Sequence, residues 1–264
     1  MQEPLQQMLL PHRWLGEGEP LVLIAGLGGK GASWQPFLDA AAQRFRVLSF
    51  DNPGAGQSPP LVGPVSIREL AQRVCQLFDG LGIEKAHVVG RSMGGMIAQE
   101  LALLAPERIE RLVLVSTTAR PDTHLQTIFG LWARMAELEL PADLRRQSSL
   151  LWCLGSHSLT TNPQVQAYLR ATRSAGRPRD YALQAQACAR HDALERLSKL
   201  RTRALIVSGT DDRLTPPRHA EELAKAIPGA ELAYIPEAGH LPYLESPELF
   251  TRVVLGYLKN EAGS

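Results

Sequence analysis

The feature that most limits the fold is a rhythm in the first half of the chain. Short apolar runs alternate with stretches of helical periodicity. Leu21–Ala25, Arg46–Phe50, "AHVVG" at 86–90 and "RLVLVS" at 111–116 read as four strands. Between them, residues 34–44 read as a helix. So does "SIRELAQRVCQLFDGLG", where Ile67, Leu70, Ala71, Val74, Leu77 and Phe78 share one face and Gly80 and Gly82 end the run. "MGGMIAQELALLAP" is apolar on almost every side, the mark of a buried helix. Parallel neighbours need a crossover between them, so the alternation predicts an α/β chain with a mostly parallel central sheet and helices on both faces.

The rhythm breaks near Thr118. Residues 120–195 carry no good strand and read as amphipathic helices, with Trp132, Met135, Leu151 and Trp152 among their apolar positions. The pattern then resumes with strand "RALIVSG", helix "PRHAEELAKAI", strand "AELAYIP" and helix "PELFTRVVLGYLKN". The expected organisation is a core of residues 1–119 and 196–264, with 120–195 as a helical lid over the carboxyl edge of the sheet. No Pro/Gly/Ser-rich linker separates the two, which favours an insertion over an independent domain.

Bulk properties remove several function classes. The chain has 264 residues and 44% hydrophobic content, enough for a substantial core. A net charge of +1, from 28 basic and 27 acidic residues, offers no field for nucleic acid or an anionic membrane. Cys75, Cys153 and Cys188 are odd in number and far apart, with neither metal-type spacing nor a disulfide framework, so a reducing cytoplasmic compartment is expected. The opening "MQEPLQQMLLPHRW" has no basic start and no long apolar run, so no secretion signal is expected. No membrane span is expected either.

The strongest chemical signal is Gly90-Arg91-Ser92-Met93-Gly94, set between a strand and a helix. There the serine sits on a sharp turn that lifts its hydroxyl above the sheet. Small flanking residues let strand and helix approach closely. A serine hydroxyl needs a base, and the base needs an orienting acid. "IVSGTDD" places Asp211 and Asp212 just past one strand, and "IPEAGHLPY" places His240 just past the next. In a parallel sheet both reach the edge that carries Ser92. Asp212 is read as the acid and His240 as the base; the alternative for the aspartates is capping of the helix after "PP". The other histidines fit worse: His12 ahead of the sheet, His87 at the wrong edge, His124 and His157 in the lid, His191 and His219 on or near helices. His191 stays open as a pocket residue.

An apparent cofactor site competes for the first fifty residues. Gly26-Leu27-Gly28-Gly29-Lys30-Gly31 follows a strand and fits G-x-G-x-x-G, and Asp51 ends the next strand where a ribose-binding acid would stand. That reading leaves "GRSMGG", "GTDD" and "AGH" without a purpose. A phosphate P-loop fails because Gly31 follows Lys30 where Ser or Thr is required. Asp51 instead opens "DNPGAGQS", a turn in which Asp and Asn bond nearby backbone.

The chain resembles the α/β-hydrolase family over nearly its whole length. The resemblance rests on "LVLIAGLGG", "FDNPGAGQS", "VVGRSMGGMIAQELALLAPERI", "LVLVS", "SGTDDRLTPP" and "IPEAGHLPYLESPE". It implies the α/β-hydrolase fold, with a helical lid inserted after the sixth strand. It places the acid on Asp212, and it makes the backbone N–H groups of Leu27 and Met93 the two donors of an oxyanion hole. Members carry histidine where this chain has Ala25, a departure expected to loosen the loop that holds Leu27. The implied reaction is acyl transfer to water through a Ser92–His240–Asp212 triad and an acyl-enzyme, with no metal or organic cofactor. "GRSMGGMIAQ" and "APERIERLVLVSTTA" are similar to enol-lactonase and small carboxylesterase members. A carbon–carbon bond hydrolase is the alternative within this fold, although Arg91 and Leu241 stand where those members usually carry asparagine and tryptophan. The expected substrate is a small to medium apolar ester or lactone, with Arg91, Trp132 and Trp152 as candidate contacts. For Arg91 the alternative is a salt bridge at the lid base; for the tryptophans it is plain helix packing. A monomer or homodimer is expected. A non-catalytic ligand-binding protein of the same fold is the competing class.

Overall fold

The structure is a computed structural model that describes residues 9–170 and 176–260. Its strands are β1 (His12–Leu15), β2 (Pro20–Ile24), β3 (Arg46–Phe50), β4 (Ala86–Arg91), β5 (Ile109–Val115), β6 (Arg203–Gly209) and β7 (Glu231–Ile235). Its α-helices are α1 (Phe37–Ala42), α2 (Ile67–Gly80), α3 (Met93–Leu104), α4 (Thr123–Glu137), α5 (Ala142–Cys153), α6 (Ser156–Thr161), α7 (Pro163–Arg170), α8 (Pro178–Ala189), α9 (Pro217–Ala226), α10 (Pro242–Glu245) and α11 (Pro247–Lys259). The strands form one sheet in the order β1-β3-β2-β4-β5-β6-β7. Every pairing is parallel except β1 with β3.

Side-chain alternation along the strands explains the layers. Val22, Ile24, Leu48, Val88, Leu112, Leu114 and Ile206 join one apolar cluster with α2, α3 and α9. Their neighbours Leu21, Leu23, Val47, Val89, Val113, Val115, Leu205 and Val207 join a second cluster with α1 and α11. A period of two sends successive residues to opposite faces, and both faces are covered, so the strands are apolar throughout. Each such buried side chain contributes about 1.5–3 kcal/mol. The entry to α2 is fixed locally: the Ser66 hydroxyl accepts from the Glu69 N–H, and the Glu69 carboxylate accepts from the Ser66 N–H.

Two sequence expectations change. Among the described residues the inserted helices follow the fifth strand, not the sixth. Among the described residues ahead of β2 there is a single strand, and it pairs antiparallel with β3. His12, expected ahead of the sheet, is the first residue of β1. The five helices α4–α8 lie between β5 and β6, and their apolar residues merge with both clusters: Leu125, Phe129 and Trp132 with the first, Leu150, Leu154 and Val165 with the second.

Register sets the position of everything that follows. Ile24 pairs with Gly90, Arg91 with Val115, Val115 with Val207, and Gly209 with Ile235. The carboxyl ends of β2, β4, β5, β6 and β7 therefore form one rim, and the loops after them open side by side.

Candidate active site

Ser92 stands between β4 and α3 with φ 56 and ψ −122, a left-handed-side conformation that costs about 1–3 kcal/mol for a residue with a side chain. Its surroundings impose the turn. The Ser92 N–H donates to the Val115 carbonyl at 3.0 Å, and the Ser92 carbonyl accepts from the Thr117 hydroxyl at 2.7 Å and from the Gly95 N–H at 2.9 Å. The flanking glycines are required by close approach. A Cβ on Gly94 would lie 2.1 Å from the Ile24 carbonyl oxygen, and one on Gly90 would lie 2.3 Å from that of Gly94. Met93 is the first residue of α3, so its amide has no intrahelical acceptor.

Asp212 and His240 meet on the same rim. His240 Nδ1 lies 2.9 Å from Asp212 Oδ2, and both side chains are almost wholly buried. The other carboxylate oxygen, Oδ1, accepts from the Leu214 and Thr215 N–H groups, and the Thr215 hydroxyl donates to Oδ2 at 2.8 Å. Thr215 Oγ1 also lies 3.1 Å from His240 Nδ1. The loops carrying acid and imidazole are themselves joined, because the Asp211 N–H donates to the Ala238 carbonyl at 2.9 Å. Gly209 permits this: a Cβ there would lie 2.2 Å from the Ala238 and Gly239 oxygens. His240 Nε2 is buried, and no hydrogen bond joins it to Ser92 Oγ among the described residues.

Asp211 does not cap α9, and neither does Asp212; the residue before that helix is Pro216, with no side-chain cap. Asp211 Oδ2 instead accepts from the Ser156 N–H at 2.6 Å, at the start of α6. Glu245 is a residue the sequence reading did not single out. Its carboxylate accepts from the N–H groups of Gly239 and Leu241, on either side of His240, and from that of Gly155 in the inserted helices, at 2.9–3.0 Å. The signal was available: a carboxylate in the apolar run after "AGH", five positions past the histidine, is a candidate for a buried backbone clamp.

The loop after β2 is tied down despite Ala25. Asn52 Nδ2 donates to the carbonyls of Ala25 and Gly26, Asp51 Oδ1 accepts from the Gly31 N–H, and Gln184 Oε1 on α8 accepts from the Gly28 N–H. The expected loosening is absent because these neighbours hold the backbone. Asp51 Oδ2 also accepts from the Gln57 N–H, so both of its oxygens bond nearby turn backbone. Neither the Leu27 nor the Met93 N–H has a hydrogen-bond acceptor among the described residues.

The remaining candidates separate. The alternative for Arg91, a salt bridge at the lid base, is not found among the described residues: its guanidinium carbon lies 5.4 Å from the centre of the Tyr243 ring. A Cβ on Gly26 would lie 3.1 Å from its Nη2, so the guanidinium lies close against that glycine. Trp132 is buried and meets Phe129 edge-on at 5.9 Å, so it packs helices. Trp152 is partly buried and meets His124 edge-on at 5.2 Å. His191 is a core residue. Its Nδ1 lies 3.9 Å from Glu100, and burial pushes its pKa down to about 4. His219 is buried, with Nδ1 3.1 Å from the Thr118 hydroxyl. Burial lifts the Cys153 thiol to about 12, so at neutral pH it is no rival nucleophile. All three cysteines are free. Among the described residues no three His, Cys, Asp or Glu side chains are grouped to hold a metal ion, and no helix is long and apolar enough to cross a membrane.

The model of the alpha/beta hydrolase fold family matches residues 19–247. The chain belongs to the alpha/beta hydrolase fold family. A relative from Azorhizobium caulinodans named "Putative carbamate hydrolase RutD" is 33% identical over 249 residues, which cover 92% of each chain. The enol-lactonase from Burkholderia xenovorans is 30% identical with a TM-score of 0.87, covering 95% of this chain and 96% of that one. A thermophilic esterase from Thermogutta terrifontis is 27% identical with a TM-score of 0.86, covering 95% of this chain and 93% of that one. As a member of this family the chain is read as a hydrolase.

Proposed function

We propose that this hydrolase cleaves a carboxylic ester or lactone of small to medium apolar character through an acyl-enzyme on Ser92. The observation that supports it most is the strained serine on the rim that also carries the 2.9 Å Asp212–His240 pair. Ser92 Oγ attacks the substrate carbonyl and His240 Nε2 takes its proton. Asp212 holds Nδ1, which fixes the tautomer and stabilises the imidazolium. The tetrahedral oxyanion lies on the Leu27 and Met93 N–H groups, where each aimed donor is worth about 3 kcal/mol. His240 then gives the proton to the leaving oxygen, and water repeats the sequence on the acyl-enzyme. Hydrogen bonds between nucleophile and base commonly tighten only once substrate is bound, so an unjoined Ser92–His240 pair is compatible with this role.

Residues 120–195 act in this reading as the lid over the rim, and Arg91 is a contact for a polar substrate group. The relatives named for carbamate hydrolysis favour a second reading, in which the same acyl transfer cleaves a carbamate.

An assay of aryl acetates, lactones and carbamates on wild type and Ser92→Ala tests both. Ester turnover that falls by at least about 10³-fold in the variant is expected, together with fluorophosphonate labelling of Ser92. Equal rates in the two proteins, with Ser92 unlabelled, would leave a ligand-binding protein of this fold. Turnover of carbamates alone would select the second reading.

A further inference from the structure

We propose that Gln184 and Asn52 are positioning residues that aim the Leu27 amide, so that α8 of the inserted block sets the oxyanion hole. The inference rests on the reading of Ser92 and Leu27 given above.

A backbone donor is aimed only as well as the peptide planes around it. The Leu27 N–H shares a plane with the Gly26 carbonyl, and in a trans peptide the two point opposite ways. That carbonyl is held from two sides, by Asn52 Nδ2 at 3.1 Å and by the Gly29 N–H at 2.9 Å. The same Nδ2 holds the Ala25 carbonyl at 2.7 Å. The next plane carries the Gly28 N–H, which donates to Gln184 Oε1 at 2.8 Å. Both planes that meet at Leu27 are therefore pinned, and φ and ψ of Leu27 have no slack to turn its amide away.

Gln184 is suited to this by its second bond. Its Nε2 donates to the Pro53 carbonyl at 2.7 Å. One end faces an N–H and the other a carbonyl, so the side-chain amide has a single orientation. Gln184 and Asn52 are both fully buried, where a lost partner is costly and a kept one is rigid. Tyr181, one turn earlier on α8, presses on the same loop: a Cβ on Gly28 would lie 3.1 Å from its ring, at φ +65. Gln184 of α8 thus reaches across to the loop after β2 and to the turn after β3. This takes over the holding task left open by Ala25.

The test compares wild type and Gln184→Met, with Ser92→Ala as reference. The readouts are kcat and KM on an aryl acetate and the affinity of an aryl trifluoromethyl ketone, whose serine adduct places an oxyanion on the donors. Gln184→Met is expected to lower kcat by roughly 10–100-fold, less than outright loss of a donor, with KM within about threefold. Ketone affinity should fall in proportion. Wild-type kcat in Gln184→Met, or a kcat loss without a matching loss of ketone affinity, would each overturn the inference. If Gln184→Met does not fold, Asn52→Leu read by the same kcat and ketone measurements decides in its place. A wild type whose ester turnover survives Ser92→Ala overturns the nucleophile reading and this inference with it. A Ser92-dependent wild type alongside an unaffected Gln184→Met overturns only the inference.

Discussion

His191 illustrates how a single side chain takes its properties from its surroundings. The sequence left it as a possible pocket residue because "RHDALERL" leads back toward the sheet. In the fold it is buried beside Glu100, with Arg196 and Asp192 the other charges acting on it. Burial disfavours the charged ring most, and Glu100 only partly offsets this, so the folded pKa falls to about 4. The unfolded value is about 6.5. Above about pH 6.5 the ring is neutral in both states and its contribution is complete. As pH falls toward 4 only the unfolded chain takes the proton, so stability drops by up to about 1.4 kcal/mol per pH unit from this group. His87 and His219 are also lowered by burial and share the loss. The urea midpoint should therefore fall between pH 7 and pH 5, and fall less in His191→Gln. An identical drop in both proteins would refute the assignment. The sequence set His240 apart by its place just past a strand, but it held no sign that His191 would be buried beside Glu100, a partner far along the chain.

At the scale of elements, the parts written in local pattern were legible. The apolar strand runs and the apolar helix α3 appeared within a residue or two of their expected bounds, since burial on both faces leaves few other sequences for them. The glycines of the serine turn were legible for a steric reason that the geometry makes concrete. Gly94→Ala should cost at least the ~1–3 kcal/mol of an overpacked core, because the new methyl meets the Ile24 carbonyl at 2.1 Å and backbone has little room to yield. Gly130 makes the opposite case. It is exposed within α4 and a Cβ there meets nothing within 4 Å. Gly130→Ala should therefore stabilise by about 0.5–1 kcal/mol. Urea denaturation of both variants checks the pair, and two shifts of the same sign would contradict this account. What local pattern did not contain was Gln184 and Glu245, whose bonds span 156 residues to Gly28 and 90 residues to Gly155. Contacts of that reach leave no periodic trace.

Across the whole molecule, the candidate triad was legible because a parallel sheet brings the ends of β4, β6 and β7 to one rim regardless of the chain between them. How the inserted helices attach was not. They are fastened at two borders. Near residues 153–156, the Cys153 carbonyl accepts from the His240 N–H at 2.8 Å, Arg213 donates to the Leu154 carbonyl, and Glu245 and Asp211 take the Gly155 and Ser156 N–H groups. Near α8, Arg177 donates to the Ser58 carbonyl, Asp180 accepts from the Leu61 N–H, and Gln184 holds Gly28. Glu245→Gln replaces one acceptor oxygen with an NH2 that faces an N–H donor. It should cost about 1–3 kcal/mol and lower kcat through a loosened His240 loop. Chemical denaturation and turnover together test this; unchanged stability with unchanged kcat would rule out the clamp. The two fastened borders also couple the inserted helices to the rim: any swing of the block away from the sheet would have to break bonds to Glu245, to the His240 amide and to the Gly28 amide.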